Sequence, residues 1–202
     1  MKLIPLMLSL VLLVTSTLAS AQKVSANLAI DPTNIYPKVK FETSMGDIIV
    51  ELDRVKAPIT VDNFLMYVVN GRYNNTLFHR IMPDFIVQGG GYDKEFGPIK
   101  LYDDIVNESG NGSKNTLGTI AMAKENRPHT ANSQFFFNAG DNANLDPGRQ
   151  WGYAVFGEII EGEEVMQAMA NVKTHYDEGL NWDDVPVEPV LLIKATLLPQ
   201  SD

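Results

Sequence analysis

The sequence predicts a mainly β domain, an antiparallel barrel or sandwich with two amphipathic helices placed to plug its open ends. Three observations lead there. Short β-branched and aromatic runs recur between turns rich in Gly, Pro, Asn and Asp. Only two stretches carry helical periodicity, and no internal repeat or linker follows Lys38. With 202 residues and 45% hydrophobic content, the chain can build one full-sized domain with its own core.

The elements follow in order. Met1-Lys2 gives a positive start, residues 3–18 carry no charge, and Ala19-Ser20-Ala21 matches the small-x-small cleavage pattern. Residues 1–21 therefore read as a cleaved signal peptide, with Gln22 as the first mature residue. An uncleaved anchor is disfavoured because Pro5, Ser9 and Thr15-Ser16-Thr17 interrupt the apolar run. Residues 22–37 read as a flexible, polar lead-in, and the domain proper as 38–202. Val39-Lys40-Phe41-Glu42-Thr43 alternates, Ile48-Ile49-Val50-Glu51-Leu52 is apolar, and Ser44-Met45-Gly46-Asp47 between them reads as a hairpin turn. A helix then starts near Pro58, with Thr60 and Asp62 suited to its N-terminal end and Gly71 to its stop. Its apolar face is Val61, Phe64, Leu65 and Val68.

Residues 76–81 and 85–88 read as strands around a tight Met82-Pro83-Asp84 link. Residues 92–116, rich in Gly, Asn, Asp and Ser, read as a long irregular loop. Strand character resumes at 119–123, 135–138 and 153–160. A second helix is expected over 163–172, with Val165, Ala168, Met169 and Val172 on its apolar face, and a closing strand over 190–198.

Composition excludes several classes of function. The chain carries 16 Lys+Arg against 25 Asp+Glu, a formal net charge of −9, and loss of Lys2 with the leader makes it more acidic. This argues against nucleic acid as the main partner and against docking on an anionic membrane surface, since both rest on clustered Lys and Arg. With no cysteine, thiol catalysis and Cys-ligated zinc are out, and an exported domain must rely on its core.

The segment from Phe78-His79-Arg80 to Gln88-Gly89-Gly90 is the most informative. It sets an arginine and a glutamine in strands that otherwise read as apolar, where a cation is costly unless paired or used. Ser133-Gln134-Phe135-Phe136-Phe137-Asn138 again sets an amide beside aromatics. Together they suggest an apolar pocket rimmed by one guanidinium and two carboxamides, suited to a proline-like group beside a peptide carbonyl.

These segments resemble the cyclophilins, the cyclosporin-type peptidyl-prolyl cis/trans isomerases, and look most like their exported bacterial members. The resemblance runs from Val39 to Leu198. It rests on Ala57-Pro58-x-Thr60-Val61-x-Asn63-Phe64, the Phe78–Gly90 segment, Asn115-Thr116-x-Gly118-Thr119-Ile120-Ala121-Met122-Ala123, Ser133-Gln134-Phe135-Phe136, and Tyr153-Ala154-Val155-Phe156-Gly157, in family order and spacing. It implies a closed eight-stranded antiparallel β-barrel capped by two α-helices. It also implies a catalytic set of Arg80, Phe85 and Gln88. Phe85, Met122, Phe136 and Leu145 would wall the proline pocket, Gln88 and Gln134 would hold the substrate backbone, and Ile86 and Ala123 would line the groove. Two substrate-binding positions depart from many relatives. Asn144 stands where many carry Trp, and Tyr153 where many carry His, which bears on cyclosporin affinity and peptide preference rather than on activity. No cofactor or metal is implied. The implied partners are proline-containing peptides and unfolded exported proteins, met by a periplasmic or secreted monomer.

The chemistry fits these residues. Rotation about an amide faces a barrier of about 18–20 kcal/mol, and uncatalysed X-Pro exchange takes tens to hundreds of seconds. A pocket that grips the prolyl ring, with a guanidinium that favours the twisted amide, lowers that barrier by differential binding. His79 sits one residue from Arg80, so alternation along a strand points it to the other face, and it reads as structural rather than catalytic. Asp103-Asp104, Glu163-Glu164 and Asp183-Asp184 read as solvated surface, and Gly89-Gly90-Gly91 as a turn rather than a phosphate loop. The competing reading is a non-catalytic proline-peptide binding module or holding chaperone, with the 92–116 loop as its surface.

Overall fold

The computed structural model describes residues 30–200. The signal peptide expected at 1–21 and the start of the lead-in lie outside them. The compact unit that carries every element is Asn34–Asp202. Its hydrogen-bonded framework begins before Lys38. The carbonyls of Ile35 and Pro37 accept from the amides of Arg54 and Leu52. Arg54 also donates from Nη1 to the carbonyl of Asn34. The last part of the expected flexible lead-in is thus paired backbone.

Strands β1 (Lys38–Thr43) and β2 (Gly46–Leu52) form the expected hairpin, turning over Ser44 and Met45. The remaining strands of the main sheet are β3 (Thr76–Leu77), β4 (Arg80–Met82), β5 (Ile86–Gly89), β6 (Thr119–Met122), β7 (Phe135–Asn138), β8 (Val155–Glu161) and β11 (Leu191–Leu197). β9 (Thr174–Asp177) and β10 (Trp182–Pro186) form a separate two-stranded hairpin. The main sheet is antiparallel and nine-stranded, in the order β3-β11-β1-β2-β8-β6-β7-β5-β4.

This corrects the expected closed eight-stranded barrel. The edge strands β3 and β4 are consecutive in the chain, separated only by Phe78 and His79, so the sheet curls until its two edges meet at that dipeptide. There the backbone changes partners. Phe78 donates its amide to Val190 on one side, while Leu77 donates to Tyr92 on the other. A strand that redirects its hydrogen bonds in this way loses its ladder at the changeover. The expected strand over 76–81 therefore divides in two, and the ladder stays open between β3 and β4.

Helix α1 (Pro58–Val69) buries Val61, Phe64, Leu65 and Val68 as its periodicity predicts, along with Thr60 and Tyr67. Its N-terminus is capped from a distance. The Glu108 carboxylate accepts from the Ile59 amide (3.2 Å), the Thr60 amide (2.8 Å) and the Thr60 hydroxyl (2.7 Å). The residue before the helix, Ala57, offers no capping side chain. Asp62 is occupied by Arg54 Nε at 2.9 Å. Gly71, with φ +64°, takes the left-handed position beyond the C-terminus.

Helix α2 (Glu163–Ala170) buries Met166, Met169 and Ala170. The buried face is turned by about one position from the expected Val165, Ala168, Met169 and Val172. Two turns give periodicity too few positions to fix the rotation to within one residue, and docking on β2, β4 and β5 decides it.

The core is aromatic. Phe41 meets Phe135 and Phe137 edge-on, with centroids 5.6 and 5.5 Å apart. From α1, Phe64 reaches Phe135 at 5.6 Å and Phe156 at 5.1 Å. Such pairs add about 0.5–1.5 kcal/mol each beyond the area they bury. Gly90, with φ +79°, lets the chain pass so close to Phe135 that a Cβ there would lie 2.8 Å from its ring.

The Glu108 cap is testable. Glu108→Ala should lower the unfolding free energy by about 1–2 kcal/mol, as loss of a helix cap does. Urea titration followed by circular dichroism measures this, and Glu108→Gln should recover part of the loss.

Candidate active site

Four ladders place five side chains in one line. Arg80 of β4 faces Gln88 of β5, Gln88 faces Phe136 of β7, Phe136 faces Ala121 of β6, and Ala121 faces Val155 of β8. Paired residues share a face of a sheet. Alternation then sends Phe135, Phe137 and Phe156 to the core on the other side. The next row holds Met82, Ile86 and Asn138.

The apolar half of this surface is a cluster of Ile86, Ala121, Phe136 and Val155, with half-buried Met82, Phe85, Ala123, Leu145 and Tyr153 packed around it. Phe136 is only 2% exposed. Tyr153 stands edge-on to it, with centroids 5.6 Å apart, and carries Lys124 Nζ 4.7 Å above its own ring. Leu145 ends a 3-10 turn (Ala143–Leu145), and its carbonyl accepts from the Tyr153 amide at 2.9 Å.

The polar half is short. Gln88 Nε2 donates to Gln134 Oε1 at 2.8 Å. Arg80 donates from Nε to Asp184 Oδ2 at 3.3 Å and turns Nη2 to Met82 Sδ at 3.1 Å. Its side chain keeps 40% exposure. The guanidinium therefore leans along the rim of the apolar cluster, with access to solvent. Beyond the glutamine pair lies a recess of about 300 Å³, between Ala123, Lys124 and Thr130 on one wall and Tyr92, Pro98 and Leu101 on the other.

A buried amide network supports the rim. Asn142 Nδ2 donates to the Phe85 carbonyl (2.8 Å) and to Asn138 Oδ1 (2.7 Å). Asn138 donates onward to Thr119 Oγ1 and Asn115 Oδ1. Asn115 holds Asp146, one residue past the 3-10 turn, through its backbone and side-chain nitrogens. Backbone and lysine contacts with Asn115 and Lys114 outweigh burial and hold the Asp146 carboxyl below its ordinary range. Phe85 and Leu145, on opposite sides of the cluster, are thus tied to one framework.

The model of the family described as cyclophilin type peptidyl-prolyl cis-trans isomerase/CLD matches residues 38–197. The chain belongs to this family. It is a peptidyl-prolyl isomerase. It is 44% identical over 164 residues to peptidyl-prolyl cis-trans isomerase cyp18 of Streptomyces antibioticus, covering 79% of this chain and 98% of that one. Isomerase B of Escherichia coli is 42% identical over 163 residues, with coverage of 79% and 98%. A crystal structure of a cyclophilin type isomerase from Cryptosporidium parvum superposes with a TM-score of 0.65 at 25% identity, covering 82% of this chain and 99% of that one. A second structure of that protein, in the presence of the dipeptide Ala-Pro, gives 0.64, with coverage of 81% and 99%.

On this cyclophilin, most residues expected at the site come together. Arg80, Gln88 and Gln134 form the polar edge, and Phe85, Ile86, Ala123, Phe136, Leu145 and Tyr153 the apolar surface. Met122 does not join them. Its partner across the β6–β7 ladder is Phe135, so it faces the core, and Ala121 takes the place beside Phe136. Asn144 is exposed on the 3-10 turn. Sequence reasoning missed Asp184, Met82, Val155 and the asparagines behind the rim. Only Asn115 and Asn138 stood in quoted motifs, and neither carried a role.

His79 is 7% exposed, wedged against Tyr92 (4.8 Å between centroids) and Trp182 (6.0 Å). Burial, aided by the charge of Arg80, lowers its pKa from 6.5 to about 4, against contacts with Leu77 and Gln134 that favour the proton. It is neutral at pH 7. Because the unfolded chain takes up this proton between about pH 6.5 and 4 and the folded chain refuses it, stability falls as pH drops through that window. The loss amounts to about 3 kcal/mol at 1.36 kcal/mol per unit. Denaturant titrations of wild type and His79→Gln across this range should show the variant's stability less dependent on pH, by about one proton.

Proposed function

We propose that Arg80 drives rotation about X-Pro bonds while the Phe136 cluster holds the prolyl ring. The observation that carries this reading is the single cross-strand row, which sets one guanidinium and one carboxamide beside a continuous apolar surface. Proline-containing peptides are the substrates. The related isomerase from Cryptosporidium parvum was crystallised in the presence of Ala-Pro.

Seating the ring on Ile86, Phe136 and Leu145 removes roughly 100 Å² of apolar surface from water, which at about 25 cal/mol per Å² yields ~2.5 kcal/mol. That grip is the same in both planar isomers and in the twisted state, so it binds without accelerating. Arg80 makes the difference. As the amide twists, resonance is lost and the prolyl nitrogen gains a lone pair that a planar amide does not offer. A guanidinium donor at that nitrogen strengthens only in the twisted state. A charge-assisted hydrogen bond is worth about 1.5–3 kcal/mol, or ~10–100-fold in rate. Gln88 and Gln134, uncharged and mutually bonded, hold the substrate carbonyl without competing for the arginine. The peptide beside the proline crosses them towards the recess bounded by Ala123 and Tyr92.

The clients are exported proteins that fold beyond the cytoplasmic membrane, in the periplasm. The leader over 1–21 supports this.

In NMR exchange on a short X-Pro peptide, Arg80→Ala should lower kcat/KM by about 10²-fold with the fold intact, and Arg80→Lys should recover little of it. Near-normal turnover by folded Arg80→Ala protein sinks the mechanism. Fractionation of cells that express the full chain tests the location. A periplasmic product starting at Gln22 is expected, and a full-length cytoplasmic one overturns it.

A further inference from the structure

We propose that Asp184 is a positioning residue that aims Arg80, delivered to it by the β9–β10 hairpin. The inference rests on the role assigned to Arg80 above.

Asp184 and Arg80 stand 104 residues apart and meet through Nε and Oδ2 at 3.3 Å. β10 lies against β4 to make that contact. The hairpin is built to aim this side chain. Asp184 adopts φ +61°, where few residues other than glycine sit comfortably. The β10 register also slips between Trp182 and Val185, so the bulged stretch departs from simple alternation. Bulges and left-handed residues of this kind re-aim side chains next to active sites.

The hairpin is also clamped through Trp182, which lines the same recess as Arg80 and Asp184. Trp182 packs on Tyr92 at 4.7 Å, on His79 at 6.0 Å and on Phe96 at 6.1 Å. His79 precedes Arg80 in the chain. One short hairpin therefore grips both the guanidinium and the residue before it.

Stability does not account for the pair. Both partners are partly exposed, 40% for Arg80 and 29% for Asp184, and such ion pairs contribute little. Orientation accounts for it better. A free arginine side chain samples many rotamers and loses that freedom on engaging a substrate. With Nε held by Asp184 and Nη2 against Met82, the guanidinium is already ordered along the pocket rim before the peptide arrives. Pre-ordering of this kind appears in turnover rather than in substrate affinity.

Asp184→Asn is the variant of choice, because asparagine tolerates positive φ and keeps the shape while removing the charge. Kinetics and peptide titration by NMR should show kcat down by about tenfold with KM and peptide affinity within about twofold. Exchange of the Arg80 Nε proton with water should accelerate. Asp184→Gly, which also accepts the backbone angle, should behave alike, and Asp184→Glu should recover part of the rate. Added to Arg80→Ala, Asp184→Asn should cost nothing further. Unchanged or increased kcat in folded Asp184→Asn protein, a loss confined to KM, or additive losses in the double variant would each overturn the proposal. If Arg80→Ala alone keeps full activity, the catalytic reading fails instead, so the two failures are distinct.

Discussion

Parity along the strands is the constraint on which the site depends. In a sheet, a shift of one residue exchanges the two faces. The pairing of Gln88 with Phe136 therefore settles much at once. It puts Phe135 and Phe137 among the core rings, leaves Phe136 on the outer surface, and brings Arg80 into line with both. A slip of one position in β7 would turn Phe136 into the core and strand Phe135 and Phe137 in solvent. The hydrophobic cost of that exchange protects the register, so the packing of Phe41, Phe64 and Phe135 inside also maintains the functional surface outside.

The outer surface then needs shape, and buried amides supply it. Asn142, which also donates to Asn138, donates to the Phe85 carbonyl and fixes it, while Asn115 ties the 3-10 turn through Asp146. Each donor in this network is satisfied by another chain segment, which is what makes a buried polar group tolerable. Asparagine suits the task because it donates and accepts at once, with few rotamers to lose. The long loop over 92–116 joins the same economy of contacts. It sends Glu108 to α1, and Asn107 and Asn111 to the carbonyls of Gly152 and Val155.

Much of this was legible in the sequence, for reasons that differ by element. β7 matches its expected span because three phenylalanines leave no alternative, and α1 shows its four expected apolar positions because twelve residues give three full turns of periodicity. The second helix is too short, at eight residues, to reveal its rotation. The β9–β10 hairpin was invisible because Thr174, His175, Tyr176 and Asp177 carry no apolar alternation. With it went Asp184, whose carboxylate read as solvated surface. Ala121 and Met122 were exchanged because a strand's own residues do not disclose which of them faces a given partner. Glu108 gave no local sign of capping a helix 48 residues earlier. Outside that local hairpin, the missing information was long-range.

β11 has a consequence of its own. It is the partner of β1 on one side and of β3 on the other, and it comes last of the sheet's strands in chain order. A polypeptide delivered amino-end first, from a ribosome or through a translocation channel, leaves the outer edge of β1 unpaired until β11 emerges, Leu191 following Ser44 of the hairpin turn by 147 residues. Contacts of such long sequence separation are slow to form and leave strand edges open in the interval. An enzyme that speeds the rotation of prolyl bonds in other chains is thus itself exposed to unwanted strand pairing until β11 arrives.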